Sequence, residues 1–292
     1  MKKKLPPPTD LANDFLICID GILRTSQTYT EKDVVRIFNL LDDESKSYVI
    51  NHVDSLDNSI LSDAVSSFKE RLAINLVNLG WNINHYNCNG KSVLILAVQN
   101  KLYSLIDALI EKGVDVDYAR LKSHKTGEKF GSSALMFAAE AGDFKIVKKL
   151  VDNGADVNYT NEFGHFPLIY SINTKNEDFL NCFSYIIDQP HTVANKVDMM
   201  GMGLMEMIIK YGNKNFLIPA LDKGAYNQKV YERLCDEISR DVGTSGKNSI
   251  RKINSKDEML ELLSFATKYN AAKELSEELS TKPNSPPKKI KI

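Results

Sequence analysis

Chemistry at a phosphate, a metal or a scissile bond needs particular residue types at particular spacings, and the chain has few places to look. One is Gly243-Thr244-Ser245-Gly246-Lys247-Asn248-Ser249, where Gly246 and Lys247 would put amide donors and an ammonium beside a phosphate. The rest of that device is missing. Asp241 stands where the first glycine is needed and would repel phosphate, and Asn248 replaces the metal-binding hydroxyl, so the segment reads as a hinge. His85 and Cys88 lie three apart, but a metal centre needs a third ligand and a nucleophile needs a base within hydrogen-bond reach. The four cysteines, Cys18, Cys88, Cys182 and Cys235, are 70, 94 and 53 residues apart. With no C-x-x-C pair they suggest reduced, packing thiols rather than a zinc ribbon or a disulfide framework. The carboxylates form no pair whose surroundings would split their acidities for acid and base work. The expectation is a protein with no catalytic residue, no metal and no cofactor.

Composition agrees with a folded, water-soluble chain. The 292 residues are 43% hydrophobic and 26% charged, enough to build one large or two ordinary cores. No run reaches the ~18–20 apolar residues that a membrane-spanning helix needs, and the opening Met1-Lys2-Lys3-Lys4-Leu5-Pro6 lacks the apolar stretch of a secretory signal. The net charge of −1 hides an asymmetry. Seven of the 37 basic residues sit at the ends, Lys2 to Lys4 and Lys282, Lys288, Lys289 and Lys291, which leaves a body of 30 basic against 38 acidic side chains. Such a body repels a polyanion, so no broad nucleic-acid surface is expected.

The elements that would position any site announce themselves by repetition. Gly154-Ala155-Asp156-Val157-Asn158 is echoed by Gly113-Val114-Asp115-Val116-Asp117 and by Gly80-Trp81-Asn82-Ile83-Asn84, with a weaker echo at Gly224-Ala225. Gly80 and Gly113 are 33 apart, and Gly113 to Gly154 is that period plus eight inserted residues. Ser92-Val93-Leu94-Ile95-Leu96-Ala97, Ser133-Ala134-Leu135-Met136-Phe137-Ala138 and Phe166-Pro167-Leu168-Ile169-Tyr170-Ser171 keep the same phase. In the third unit Leu135, Ala138 and Ala139 make one helical face, and Ile146, Val147, Leu150 and Val151 make a second. Neither helix is long enough to stand alone, so the units must stack and the terminal ones need covers.

At these residues the chain resembles the ankyrin-repeat family, whose unit carries Thr-Pro-Leu-His-x-Ala, two antiparallel helices and Gly-Ala-Asp-Val-Asn. Ser133 to Gly164 matches almost throughout, whereas the motif's histidine is Ile95, Met136 and Ile169 here. The resemblance implies an all-α solenoid of about five units over residues 58–226, with an insertion at 119–131. Around it the sequence predicts an N-terminal helical cap over 1–57, with helices at 9–25 and 30–56, a C-terminal helical segment over 227–280, and a disordered basic tail over 281–292. Val230, Leu234 and Ile238 mark one C-terminal helix, and Met259, Leu260, Leu262, Leu263 and Ala266 mark another.

The resemblance also implies where a partner would bind, in a concave groove lined by loop tips and by the exposed edge of each first helix. By spacing, those positions include Lys91, Lys129, Phe130, Glu140, Glu162, Phe163, His165, Met199, Met200, Met202 and Tyr211. The aromatic and methionine content of that set suits an interface centre, and Arg120, Lys122, Lys125 and Lys129 of the insertion would steer an acidic partner. The expected function is therefore a non-enzymatic, monomeric protein-binding module. Glu274, Glu277 and Glu278 before a polar, basic tail resemble the C-terminal signals of Dot/Icm-type type IV effectors, which implies secretion into a host cell and a host protein as partner. The tail also resembles a nuclear-import signal interrupted by Ile290. Two other readings stay open: an enzyme sited in the flanking helices that uses the repeats to recruit substrate, and a ubiquitin-ligase adaptor. The adaptor reading follows from Leu5, Pro6, Leu11, Phe15, Leu16 and Ile19, which resemble the start of an F-box.

Overall fold

The computed structural model describes residues 9–24, 29–117, 131–173, 177–239 and 254–281. The described residues form helices α1 (Asp10–Leu23), α2 (Glu31–Leu40), α3 (Asp43–Ile50), α4 (Ile60–Ser66), α5 (Glu70–Asn78), α6 (Val93–Gln99), α7 (Tyr103–Glu111) and α8 (Ala134–Glu140). They continue with α9 (Phe144–Asp152), α10 (Pro167–Ser171), α11 (Glu177–Ile187), α12 (Leu204–Tyr211), α13 (Lys214–Asp222), α14 (Gln228–Ser239) and α15 (Lys256–Thr281). The chain divides into two compact units, Met1–Tyr170 and Ser171–Ile292.

In the first unit three helix pairs repeat one design. Ser59, Ser92 and Ser133 each accept a hydrogen bond from the backbone N–H three residues on, at Ser62, Ile95 and Met136, and so start α4, α6 and α8. Each of these helices has seven residues, too few to hold by backbone hydrogen bonding alone. Packing supplies the rest. Leu61, Ala64, Leu94, Ala97, Leu135 and Ala138 are all buried, and the small side chains let α4, α6 and α8 lie side by side. Their partners α5 and α7 pack together behind them, through Leu72, Leu76, Leu105 and Leu109. The first of these pairs is covered by α1, which packs on α4, and by α2, which packs on α5. Trp81 anchors that cover, with ring centroids 5.9 Å from Phe15 and 5.2 Å from Phe38.

The expected helix over 30–56 is two helices. Thr30 and Asp33 form a capping box at its start. Leu41, however, is extended, and the Asp42 side chain accepts from Ser45 N, so α3 begins under a new cap. The helix then ends at Ile50 rather than 56. Residues 53–59 form a hairpin-like loop closed by the isolated bridge Val53 to Ser59, the same device seen at Tyr86 to Ser92 and Val197 to Gly203.

In the second unit α12 and α13 are again an antiparallel pair, with α11 packed on α13. Next to them α14 packs on α12 and α15 on α13, while α14 and α15 pack on each other, which is how one repeat pair stands on the next. Val230, Leu234 and Ile238 of α14, with Met259, Leu262, Leu263 and Ala266 of α15, are the buried contacts. Leu260, placed by its sequence among those packing residues, instead faces outward at 43% exposure.

Candidate functional site

Among the described residues, the connections that lead into α4, α6, α10 and α12 are fingers, each built on one side chain. Asp54 accepts backbone N–H bonds from Leu56 and Asn58, both at 2.8 Å. Asn87 does the same for Asn89 and Lys91, Asn161 for Phe163 and His165, and Asp198 for Met200 and Met202, at 2.8 to 3.1 Å. Asn87, Asn161 and Asp198 are buried, and the residue three further on takes the left-handed conformation in every case, as Asp57, Gly90, Gly164 and Gly201. The finger's backbone is thus satisfied from below by its base. The residue two positions after the base forms the apex, where its N–H bonds the base and its side chain takes no part in those bonds: Leu56, Asn89, Phe163 and Met200.

Neighbouring fingers are tied in register. Cys88 N donates to Leu56 O at 3.0 Å, Asn87 Nδ2 to Asn58 Oδ1 at 3.1 Å, and Gly131 N to the Glu162 carboxylate at 2.7 Å. At the base, the aspartates and asparagines of the Gly-Ala-Asp-Val-Asn phrase form a second ladder. Asp115 N donates to Asn84 Oδ1, and Asp156 N donates to the carboxylate of Asp117. These residues bond one repeat to the next.

The sequence-selected residues distribute themselves unevenly over this frame. Glu162, Phe163 and His165 share one finger of the first unit. Phe163 is 58% exposed, with its ring 5.9 Å from that of half-buried His165, which in turn meets Tyr170 edge-on at 5.9 Å. Met199, Met200 and Met202 share one finger of the second unit. Met199 and Met200 are 76% and 79% exposed, whereas Met202 is half-buried. Glu140 is exposed at the end of α8, Lys91 is half-buried with Nζ 2.8 Å from Gln99 Oε1, and Tyr211 is half-buried at the last turn of α12, away from any finger. Lys129 and Phe130, with most of the insertion, lie outside the described residues.

Two features were missed. The finger bases recur with the repeat, Asp54 to Asn87 at 33 residues and Asn161 to Asp198 at 37, and that spacing was legible. The other is Glu206, a carboxylate within the apolar run Leu204 to Ile209 and 1% exposed. It pairs with Lys210 at 2.7 Å and with Arg233 of α14, whose Nη2 also donates to Gly201 O at 3.1 Å. Burial pulls the Lys210 ammonium down, yet the hydrogen bonds and charges of Glu206 and Glu237 outweigh it and the pKa is raised. One side chain of the flanking helix thereby fixes both a repeat helix and the methionine finger.

A cavity of about 340 Å³ lies in the second unit among Gly212, Asn213, Lys214, Asn254, Glu258 and Glu261. Its polar groups are committed to the scaffold. Asn254 Nδ2 donates to Ile209 O and Gly212 O, Lys214 pairs with Glu261 at 2.6 Å, and Glu258 caps its own helix through Ser255. Among the described residues no three His, Cys, Asp or Glu side chains stand close enough to hold a metal ion, and no helix is long and apolar enough to cross a membrane.

Residues 119–198 match the family model described as ankyrin repeats in three copies. No curated protein sequence matches the chain. Among solved structures, an ankyrin repeat domain from Acinetobacter baumannii AYE aligns with a TM-score of 0.59 at 17% identity, over 74% of this chain and all of that one. A second ankyrin repeat protein aligns with a TM-score of 0.54 at 20% identity, over 72% of this chain and 98% of that one. The fold is an all-α ankyrin-repeat solenoid.

Proposed function

We propose that this chain is a non-enzymatic protein-binding module whose partner docks on the finger apices. Ankyrin repeats generally mediate protein-protein interaction. The observation that carries the reading here is the division of labour inside each finger. A buried Asx base satisfies the backbone, and the apex side chains Phe163 and Met200, with Met199 next to the latter, stand in water at 58 to 79% exposure. Aromatic and methionine side chains are enriched at interface centres, where burying them removes much apolar area from water. The finer reading, a secreted effector that engages a host protein, is supported by the exposed Glu274, Glu277 and Glu278 on α15 and the basic residues that follow it.

The test compares the wild-type chain with Phe163→Ala and Met200→Ala variants in affinity capture from eukaryotic lysate. Retained proteins are then purified and titrated one by one by calorimetry. The expected result is a partner whose affinity falls at least about tenfold in either variant, with thermal unfolding unchanged. Equal affinity for all three proteins would remove the apices from the binding surface. The adaptor reading keeps one specific support, since Ile17 and Leu40 on the cap helices are 56% and 66% exposed. It requires a ubiquitin-ligase component that is retained by wild type and lost on Leu40→Glu.

A further inference from the structure

We propose that Met199 and Met200 are a reversible oxidation site, a place where the surface can be made polar without unfolding the protein. The described methionines fall into sharply different environments. Met136, Met205, Met207 and Met259 are core residues at 0 to 8% exposure, Met202 is half-buried, and Met199 and Met200 stand out at 76% and 79%. Sulfoxidation requires an oxidant to reach the sulfur, so these two are attacked first. The thioether sulfur donates an electron pair to one peroxide oxygen, an S–O bond forms as the O–O bond breaks, and the displaced oxygen leaves as water. Sulfur is oxidised by two electrons and peroxide is reduced. The reverse step takes a thiol-dependent sulfoxide reductase, with the oxygen again leaving as water and a dithiol becoming a disulfide.

The finger is built to survive that change. Its turn is held by the Asp198 carboxylate, which accepts from Met200 N and Met202 N at 2.8 Å, by Asp198 N donating to Met202 O, and by Arg233 bonding Gly201 O. All of those bonds run through backbone or through Asp198 and Arg233, and none uses a methionine sulfur. Val197, 49% exposed at the closing bridge of the same finger, contains nothing oxidisable. Oxidation therefore replaces the two outermost apolar groups with sulfinyl dipoles while the scaffold stays in place. The chemistry stands independently of the protein-binding reading; only its effect on a partner rests on it.

The experiment treats the full-length chain with graded hydrogen peroxide and reads three quantities: sulfoxide at each methionine by peptide mapping, thermal unfolding, and retention on a hydrophobic-interaction column. Met199 and Met200 are expected to oxidise at least about tenfold faster than the four core methionines, with unchanged unfolding and shorter retention. A Met199→Leu, Met200→Leu variant should fold alike and keep its retention through the same treatment. Comparable rates at core and finger methionines would overturn the proposal. So would a fall in unfolding temperature that tracks sulfoxide at these two positions, or retention that shortens equally in the leucine variant.

Discussion

At the scale of single residues, the polar side chains at the base of the fingers decide more than the conspicuous ones. The histidines, cysteines and lysines that invite a chemical reading are dispersed, whereas Asp54, Asn87, Asn161 and Asp198 each hold a loop. Apex and base were unequally legible. Phe163, Met199 and Met200 stand out in the sequence because large apolar residues are unusual in loops. An asparagine in a loop is unremarkable until its hydrogen bonds are seen. Asp63, on α4, is a further case. Burial first, and the negative charge of Asp54 second, push its carboxyl up from 3.8 to about 6. Between those values the folded chain keeps a proton that the unfolded chain releases, so stability falls as pH rises through the window and the loss is complete above about 6. Asp63→Asn should therefore stabilise the protein by about 1 kcal/mol at pH 7.5 and by almost nothing near pH 4. Urea unfolding at both pH values checks this, and an equal gain at both would show that charge is not the cause.

At the scale of elements, periodicity revealed the helix pairs because packing demands it, and breaks were harder to see. The 30–56 segment has enough apolar residues for one helix, and only the Asp42 side chain bonding Ser45 N explains why it is two. The C-terminal helices were visible from Val230, Leu234 and Ile238, but the reason α14 sits where it does was not. Arg233 reaches the buried Glu206 carboxylate of α12, an attachment that no apolar pattern reports. Glu206 is buried, but Arg233 is 37% exposed and Lys210 still pairs with the carboxylate, so Arg233→Met should destabilise the chain by about 1–2 kcal/mol in denaturant unfolding. Adding Glu206→Met should recover most of that loss, since an apolar pair of similar volume carries no desolvation penalty. A double variant no better than the single one would mean that Arg233 acts through Gly201 O alone.

At the scale of the molecule, the repeat phase was readable through Gly80, Gly113 and Gly154 and faint at Gly224, while the covers had to be inferred from what a stack needs. Trp81 is the chain's single tryptophan, 3% exposed between Phe15 of α1 and Phe38 of α2. Its emission is thus a built-in report on the N-terminal cover. Phe15→Ala is expected to cost about 3–5 kcal/mol and to shift that emission to the red. Unshifted emission in a folded Phe15→Ala protein would show that the cover does not rest on this cluster. The fingers carry a different implication, one of evolvability. Their backbones are satisfied by the Asx bases, and those bonds use the backbone N–H of each apex rather than its side chain. Selection can then rewrite positions 56, 89, 163 and 200 in any combination while the scaffold remains indifferent. A display library randomised at those four codons should yield folded protein nearly as often as the parent, and new specificities would come from the same frame.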